Sequence, residues 1–267
     1  MINSQISLTF KQCKKEKRSA LLTYIVAGDN TKKKSLEILN SISKHADICE
    51  IGFPHNTPIA DGGQIQNSSY RAIKNGIKMK NVFEIVKIFK KNKNKKPVIL
   101  MGYFNMVYQY GENEFLKKCK RVGVDGLIIV DLPWPDNKSF SKKCKKYSIT
   151  FVQLLSPTTS LIRMKKIVKD SHNMMYFIST LSTTGGKLKA LPKEILKNYN
   201  KVKKINKSKN LVIGFGITSK NISAFKTADG CVVGSEICKK ISESLEKRQN
   251  PVTKVGNMVK NLRRKLS

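Results

Sequence analysis

Acidic residues are scarce in this chain: 18 Asp and Glu stand against 52 Lys and Arg, a formal net charge of +34 over 267 residues. Histidine is rarer still, and His45, His55 and His172 show no metal-ligand spacing, which leaves no histidine-built metal centre. The cysteines Cys13, Cys49, Cys119, Cys144, Cys231 and Cys238 form no CxxC pair, so neither a zinc site nor a disulfide framework is expected. Cys49 and Cys231 fall in predicted strands and read as small core residues. No apolar run approaches the roughly 20 residues of a membrane span. The first 18 residues have no signal-peptide apolar core. They place Ile6 and Phe10 at helical spacing among lysines, which predicts a short helix and a cytoplasmic chain.

The lysine excess would attract any anion, nucleic acid included. Yet the lysines are spread over most predicted helices, as in Lys117–Lys120 and Lys142–Lys146, and are not gathered with aromatics into one patch. That distribution describes a solvated surface and not a nucleic-acid or membrane partner. Lys, Asn and Ile abound together, as an A/T-biased genome would give.

Short apolar runs recur, with amphipathic stretches between them. The predicted strands are Leu21–Ala27, Ile48–Gly52, Val98–Met101, Gly126–Asp131, Thr150–Leu155, Met174–Ser179, Leu211–Phe215 and Cys231–Gly234. Most are near-continuous in apolar residues, as parallel strands buried on both faces require. Leu36, Leu39 and Ile42, and then Val82, Ile85, Ile88 and Phe89, repeat at helical spacing. Asn81 and Asn137 are expected N-caps, and Pro192 a first-turn proline. Eight such units predict an α/β fold, a single (β/α)8 barrel of the TIM type over residues 1–267. An extra N-terminal helix and an additional helix over Gln64–Asn75, after the second strand, complete it. A doubly wound open sheet would alternate in the same way, but its GxGxxG fingerprint is missing.

The most informative stretch is Cys49–Gln66, reading CEIGFPHNTPIADGGQIQ. Glu50 sits inside an apolar run, where burial is costly and favours the protonated form. Asp61 follows in a Pro- and Gly-bounded loop. Two carboxylates in contrasting surroundings can divide acid/base and electrostatic work. The bland alternative is a buried Glu paired with a Lys or Arg. Two Gly-rich turns, Gly214-Phe215-Gly216 and Gly234-Ser235, follow the last two predicted strands. In a barrel, the loops after strands seven and eight commonly cradle a phosphate with backbone N–H groups. Gly185 and Gly186 follow strand six. The predicted ligand is flat and mostly apolar, with one anionic end.

These residues resemble a known family, the α subunit of tryptophan synthase, over essentially the whole chain. The matching motifs are Glu50-Ile51-Gly52, Pro58 to Gly62, Met101 to Asn105, Val122 to Gly126, Asp131-Leu132-Pro133 and Leu155-Ser156-Pro157. Tyr176, Thr184-Gly185, Gly214 to Ile217 and Val233-Gly234-Ser235 complete them. The resemblance implies a lyase that splits indole-3-glycerol phosphate into indole and glyceraldehyde 3-phosphate. It implies no cofactor in this chain, and a pyridoxal-phosphate β subunit as partner in an α2β2 heterotetramer. By the same resemblance, Glu50 and Asp61 are catalytic. Tyr24, Met101, Ile128, Tyr176 and Thr184 would contact substrate, and Gly185, Phe215, Gly216, Gly234 and Ser235 its phosphate. Tyr24 stands where the family usually has phenylalanine. His55-Asn56-Thr57 replaces a usual Phe-Ser-Asp, and Thr180 a usual arginine, which touches the expected signalling between subunits. A freestanding indole-producing lyase, or another phosphate-binding barrel enzyme, would share part of this pattern. A Schiff-base aldolase would not, because none of the eight predicted strands contains a lysine.

Overall fold

Every predicted strand forms. In the computed structural model, which describes residues 4–91, 96–179 and 191–267, the strands are β1 (Ala20–Val26), β2 (Ile48–Gly52) and β3 (Val98–Gly102). They continue with β4 (Gly126–Ile129), β5 (Thr150–Phe151), β6 (Gln153–Leu155), β7 (Met174–Ile178), β8 (Asn210–Gly214) and β9 (Gly230–Val233). All neighbours pair in parallel, in the order β5-β4-β3-β2-β1-β9-β8-β7-β6. The predicted fifth strand is divided at Val152: its first half pairs with β4 and its second with β7. Tilt and stagger of strands in a barrel account for this change of partner along one segment. Only Val152 separates β5 from β6, and its N–H still reaches Leu127 O at 2.9 Å, so the sheet curls into a nearly closed ring.

Alternation along the strands sorts side chains into two apolar sets, which the continuous apolar runs conceal in the sequence. Leu22, Tyr24, Val26, Ile99, Met101, Ile128, Tyr176 and Val212 belong to the set inside the ring. Leu21, Ile25, Ile51, Leu100 and Leu127 belong to the other, packed with the buried faces of the helices.

Those helices begin with α1 (Gln5–Lys15), α2 (Lys32–Ser43), α3 (Gly63–Lys74), α4 (Met79–Lys91), α5 (Phe104–Tyr110) and α6 (Glu112–Val122). They end with α7 (Lys138–Lys146), α8 (Leu161–Asp170), α9 (Pro192–Ile205), α10 (Ser235–Glu246) and α11 (Pro251–Leu266). The predicted N-terminal helix is α1, capped by Ser4, whose hydroxyl accepts from Ser7 N. Its Ile6, Phe10 and Cys13 join the interior set, so it covers one end of the ring. The extra helix after the second strand is α3.

Two caps differ from expectation. Asn81 lies inside the first turn of α4, where its Oδ1 accepts from Lys78 N. Asn137 does occupy the N-cap of α7, but its side chain makes no cap bond. It turns instead to exchange amide hydrogen bonds with Gln153, at 2.8 and 3.2 Å, because a buried amide on β6 needs a partner. Pro192 opens α9 as predicted. Among the described residues, no helix is long and apolar enough to cross a membrane.

Candidate active site

Three adjacent strands place Tyr24, Glu50 and Ile99 side by side in register. Glu50 is 1% exposed, and neither carboxyl oxygen has a hydrogen-bond partner among the described residues. Burial alone pushes its carboxyl up to about 8, so it is protonated at neutral pH. The ion-paired alternative is thereby overturned among the described residues, where no Lys or Arg pairs with it.

Tyrosines stand near Glu50 on β1 and β7. Tyr24 and Tyr176 are buried, and burial raises both phenols well above their ordinary range, with nearby carboxylates adding to it. Each ring lies over a glycine at the end of the next strand. A methyl group on Gly52 would meet the Tyr24 hydroxyl at 2.0 Å, and one on Gly214 the Tyr176 hydroxyl at 1.8 Å. Both glycines are therefore needed to seat the tyrosines.

The turn after β8 supplies the opposite wall. Phe215 (φ 67°) and Gly216 (φ 69°) are consecutive left-handed residues. For phenylalanine that is a strained geometry, of the kind found at functional sites. The Phe215 ring meets Tyr176 edge-on at 6.0 Å, and Ser179 Oγ donates to Gly214 O and Phe215 O. Asn221 braces the same loop, donating to Gly216 O at 2.9 Å and accepting from Thr218 N at 2.8 Å. Glu236, in the first turn of α10, ties Ser219 N and Oγ at 2.7 Å each. Gly234 caps α10 and Ser235 begins it, so the helix N-terminus opens beside Gly216.

These groups share one cavity of about 730 Å³, lined by Tyr24, Glu50, Met101, Tyr176, Phe215, Gly216, Gly234 and Ser235. A carboxylic acid and backbone donors thus face the same space. Asp61 stands apart from that lining. It is 6% exposed, near Tyr24, and its Oδ2 accepts from the Tyr103 hydroxyl at 3.2 Å. Tyr103 also holds the loop by accepting from Ala60 N at 3.0 Å. Ile128 is fully buried against Met101 in register and does not reach the cavity. Thr184 and Gly185 lie outside the described residues. His55 is a loop residue, bonded to Asn56 and packed edge-on against Tyr103.

Other residues of the lining were not singled out as site residues from the sequence: Gln64 and Ile65 of α3, Ile217 of a matching motif, Asn221 and Val232. The amphipathic pattern of α3 gave its existence but not which end meets the cavity. Asn221 carries no local signal at all. Asn221→Ala loses these two hydrogen bonds, roughly 1–2 kcal/mol or about 5- to 30-fold in affinity for a ligand held by the loop. The expected result is a raised KM for an anionic substrate with kcat nearly unchanged, read from steady-state kinetics.

Among the described residues, no group of three or more His, Cys, Asp or Glu is placed to hold a metal ion. The family profile described as "Tryptophan synthase alpha chain" matches residues 10–267. A tryptophan synthase alpha chain of Pelagibacter ubique is 70% identical over 264 residues, covering 99% of this chain and all of that relative. The crystal structure of tryptophan synthase subunit alpha from Legionella pneumophila superposes with a TM-score of 0.90 at 30% identity, covering 98% of both chains. A structure described as the tryptophan synthase a2b2 complex from Pyrococcus furiosus matches with a TM-score of 0.82 at 33% identity, over 92% of this chain and 98% of that one.

Proposed function

The chain belongs to the tryptophan synthase alpha chain family, and from that premise we propose that Glu50 is its proton shuttle and Asp61 its electrostatic partner. The activity is that of a lyase: indole-3-glycerol phosphate is cleaved to indole and glyceraldehyde 3-phosphate, the alpha reaction of L-tryptophan biosynthesis. The observation that carries the residue assignment is the orphaned, protonated Glu50 facing the same cavity as a cradle of backbone donors.

In this reading the phosphate sits on the α10 N-terminus, near Phe215, Gly216, Gly234 and Ser235. Gly185 and Thr184 keep the roles that the family implies for them. The indole ring lies against Tyr24, Met101 and Tyr176, with Ile128 alongside Met101. Glu50 gives its proton to indole C3. The resulting carboxylate then takes the proton of the hydroxyl on the neighbouring side-chain carbon. The carbon–carbon bond breaks, its electron pair restores the aromatic ring, and the hydroxyl carbon leaves as an aldehyde. Asp61, held by Tyr103, balances the positive charge that C3 protonation places on the ring nitrogen.

No cofactor enters these steps. Pyridoxal phosphate belongs to the β subunit, with which the chain forms an α2β2 assembly, and the site of action is the cytoplasm. The decisive assay follows indole release from indole-3-glycerol phosphate, with and without a cognate β subunit. The expected result is cleavage by the chain alone and faster cleavage on co-elution with the partner. Absence of indole under both conditions would reject the assignment, and activity without co-elution would identify a freestanding lyase.

A further inference from the structure

A second polar cleft, of about 600 Å³, opens between α7 and α8, away from Glu50 and toward the strands' N-terminal ends. Thr150, the first residue of β5, lies in its wall, as do Ser171, His172, Asn173 and Lys209, which precede β7 and β8. Its volume is that of a small-molecule site.

Two features together mark it as a candidate site. The first is uncompensated charge on a concave wall. Lys142, Lys145 and Lys169 line it, and none of them forms an ion pair among the described residues. Lys209 also lines it, donating to Ser171 O and His172 O. The lone carboxylate of the lining, Asp170, is taken by Trp134 Nε1 at 2.8 Å and by Lys138 at 3.5 Å. Burial, with Lys145 and Lys209 adding to it, holds His172 neutral, lowering its imidazole to about 4.

The second feature is a pair of free hydroxyl donors. His172 Nδ1 accepts from Phe151 N at 3.0 Å, so the ring proton is on Nε2. Nε2 therefore donates to Ser141 Oγ at 3.1 Å, which leaves the Ser141 proton free to point elsewhere. Thr150, only 3% exposed, has no side-chain hydrogen bond among the described residues, yet it lines the cleft. Ammonium groups and hydroxyl donors that outnumber the one carboxylate, itself held by Trp134 and Lys138, are the chemistry of an oxyanion site.

We propose that this cleft is a second anion site that takes a small, multiply charged oxyanion of the pyrophosphate class. The chain has only three histidines, so His172 is a reporter that can be assigned from a single His172→Gln spectrum. Pyrophosphate is titrated into the full-length chain at constant ionic strength, and the histidine ring resonances are followed by NMR. The expected result is a saturable shift of the His172 resonance with none at His45. The triple variant Lys142→Gln, Lys145→Gln, Lys169→Gln should weaken it at least about tenfold while indole formation stays unchanged. Pyrophosphate held at the Gly234–Ser235 turn would leave His172 still, so failure here is separable from failure of the catalytic reading. An equal response to chloride, or an undiminished response in the triple variant, would overturn the proposal. So would a single-stranded RNA that moves His172 at lower concentration than pyrophosphate, because the occupant would then be a nucleic acid. Should the triple variant not fold, Lys145→Gln alone must still weaken the response measurably.

Discussion

Glu50→Gln is expected to lower indole-3-glycerol phosphate cleavage by at least about 10²-fold, because the amide neither gives nor takes the proton. Folding and capture of the β subunit should persist. The same substitution should raise stability in alkali, and the sign follows from burial. Glu50 has its folded pKa raised to about 8 from an ordinary 4.5. A raised acid contributes stability that is fully present below its unfolded pKa and is lost as pH rises through the folded value. Wild type therefore weakens on going from pH 5 to 9, by an amount of order several kcal/mol, whereas the variant does not. Thermal melts of both proteins at pH 5 and pH 9 give the comparison: near-equal Tm in acid and a higher Tm for the variant in alkali. Catalysis adds a second signature. Since the first step uses the protonated acid, kcat/KM should fall as pH rises through about 8. Retained cleavage in Glu50→Gln, or a flat difference between the melts, would reject a proton-shuttling buried acid.

Asp47→Ala should be the most damaging single change to stability away from the site. Asp47 is 5% exposed just before β2. It accepts from Arg18 at 2.9 and 3.0 Å, from Arg263 of α11 at 2.7 Å, and from Leu21 N at 2.8 Å. One carboxylate thus joins the segment after α1, the starts of β1 and β2, and the last helix. Burial works against its charge, but Arg18, the Leu21 N–H and Arg263 outweigh burial and hold it below the usual carboxylate range. Removing it takes from Arg263 its acidic partner and leaves Arg18 only the more exposed Glu16, a loss of roughly 3–5 kcal/mol. Denaturant unfolding at pH 7 measures that loss directly. A lowered carboxyl contributes stability above its unfolded pKa and loses it as pH falls through the folded one. The gap between wild type and variant should therefore close in acid. A loss under about 1 kcal/mol at pH 7 would place the pair among weak surface contacts.

The sequence by itself determined the number and kind of elements, because alternating apolar runs and amphipathic stretches are local signals. It also marked Glu50, because a carboxyl in an apolar strand is an anomaly that needs no neighbour to be seen. The glycine turns after β8 and β9 were legible for the same reason. Tertiary structure alone decided that Glu50 has no partner among the described residues, since that depends on Tyr24, Tyr176 and the other side chains inside the ring. It divided one predicted strand into β5 and β6, sent Asn137 to Gln153, and brought Asn221 under Gly216. It also set Asp61 beside Tyr103 and outside the cavity lining, while Ile128 lay fully buried alongside Met101. Closing the ring folds residues far apart in the chain against one another, and no short-range pattern encodes those distances.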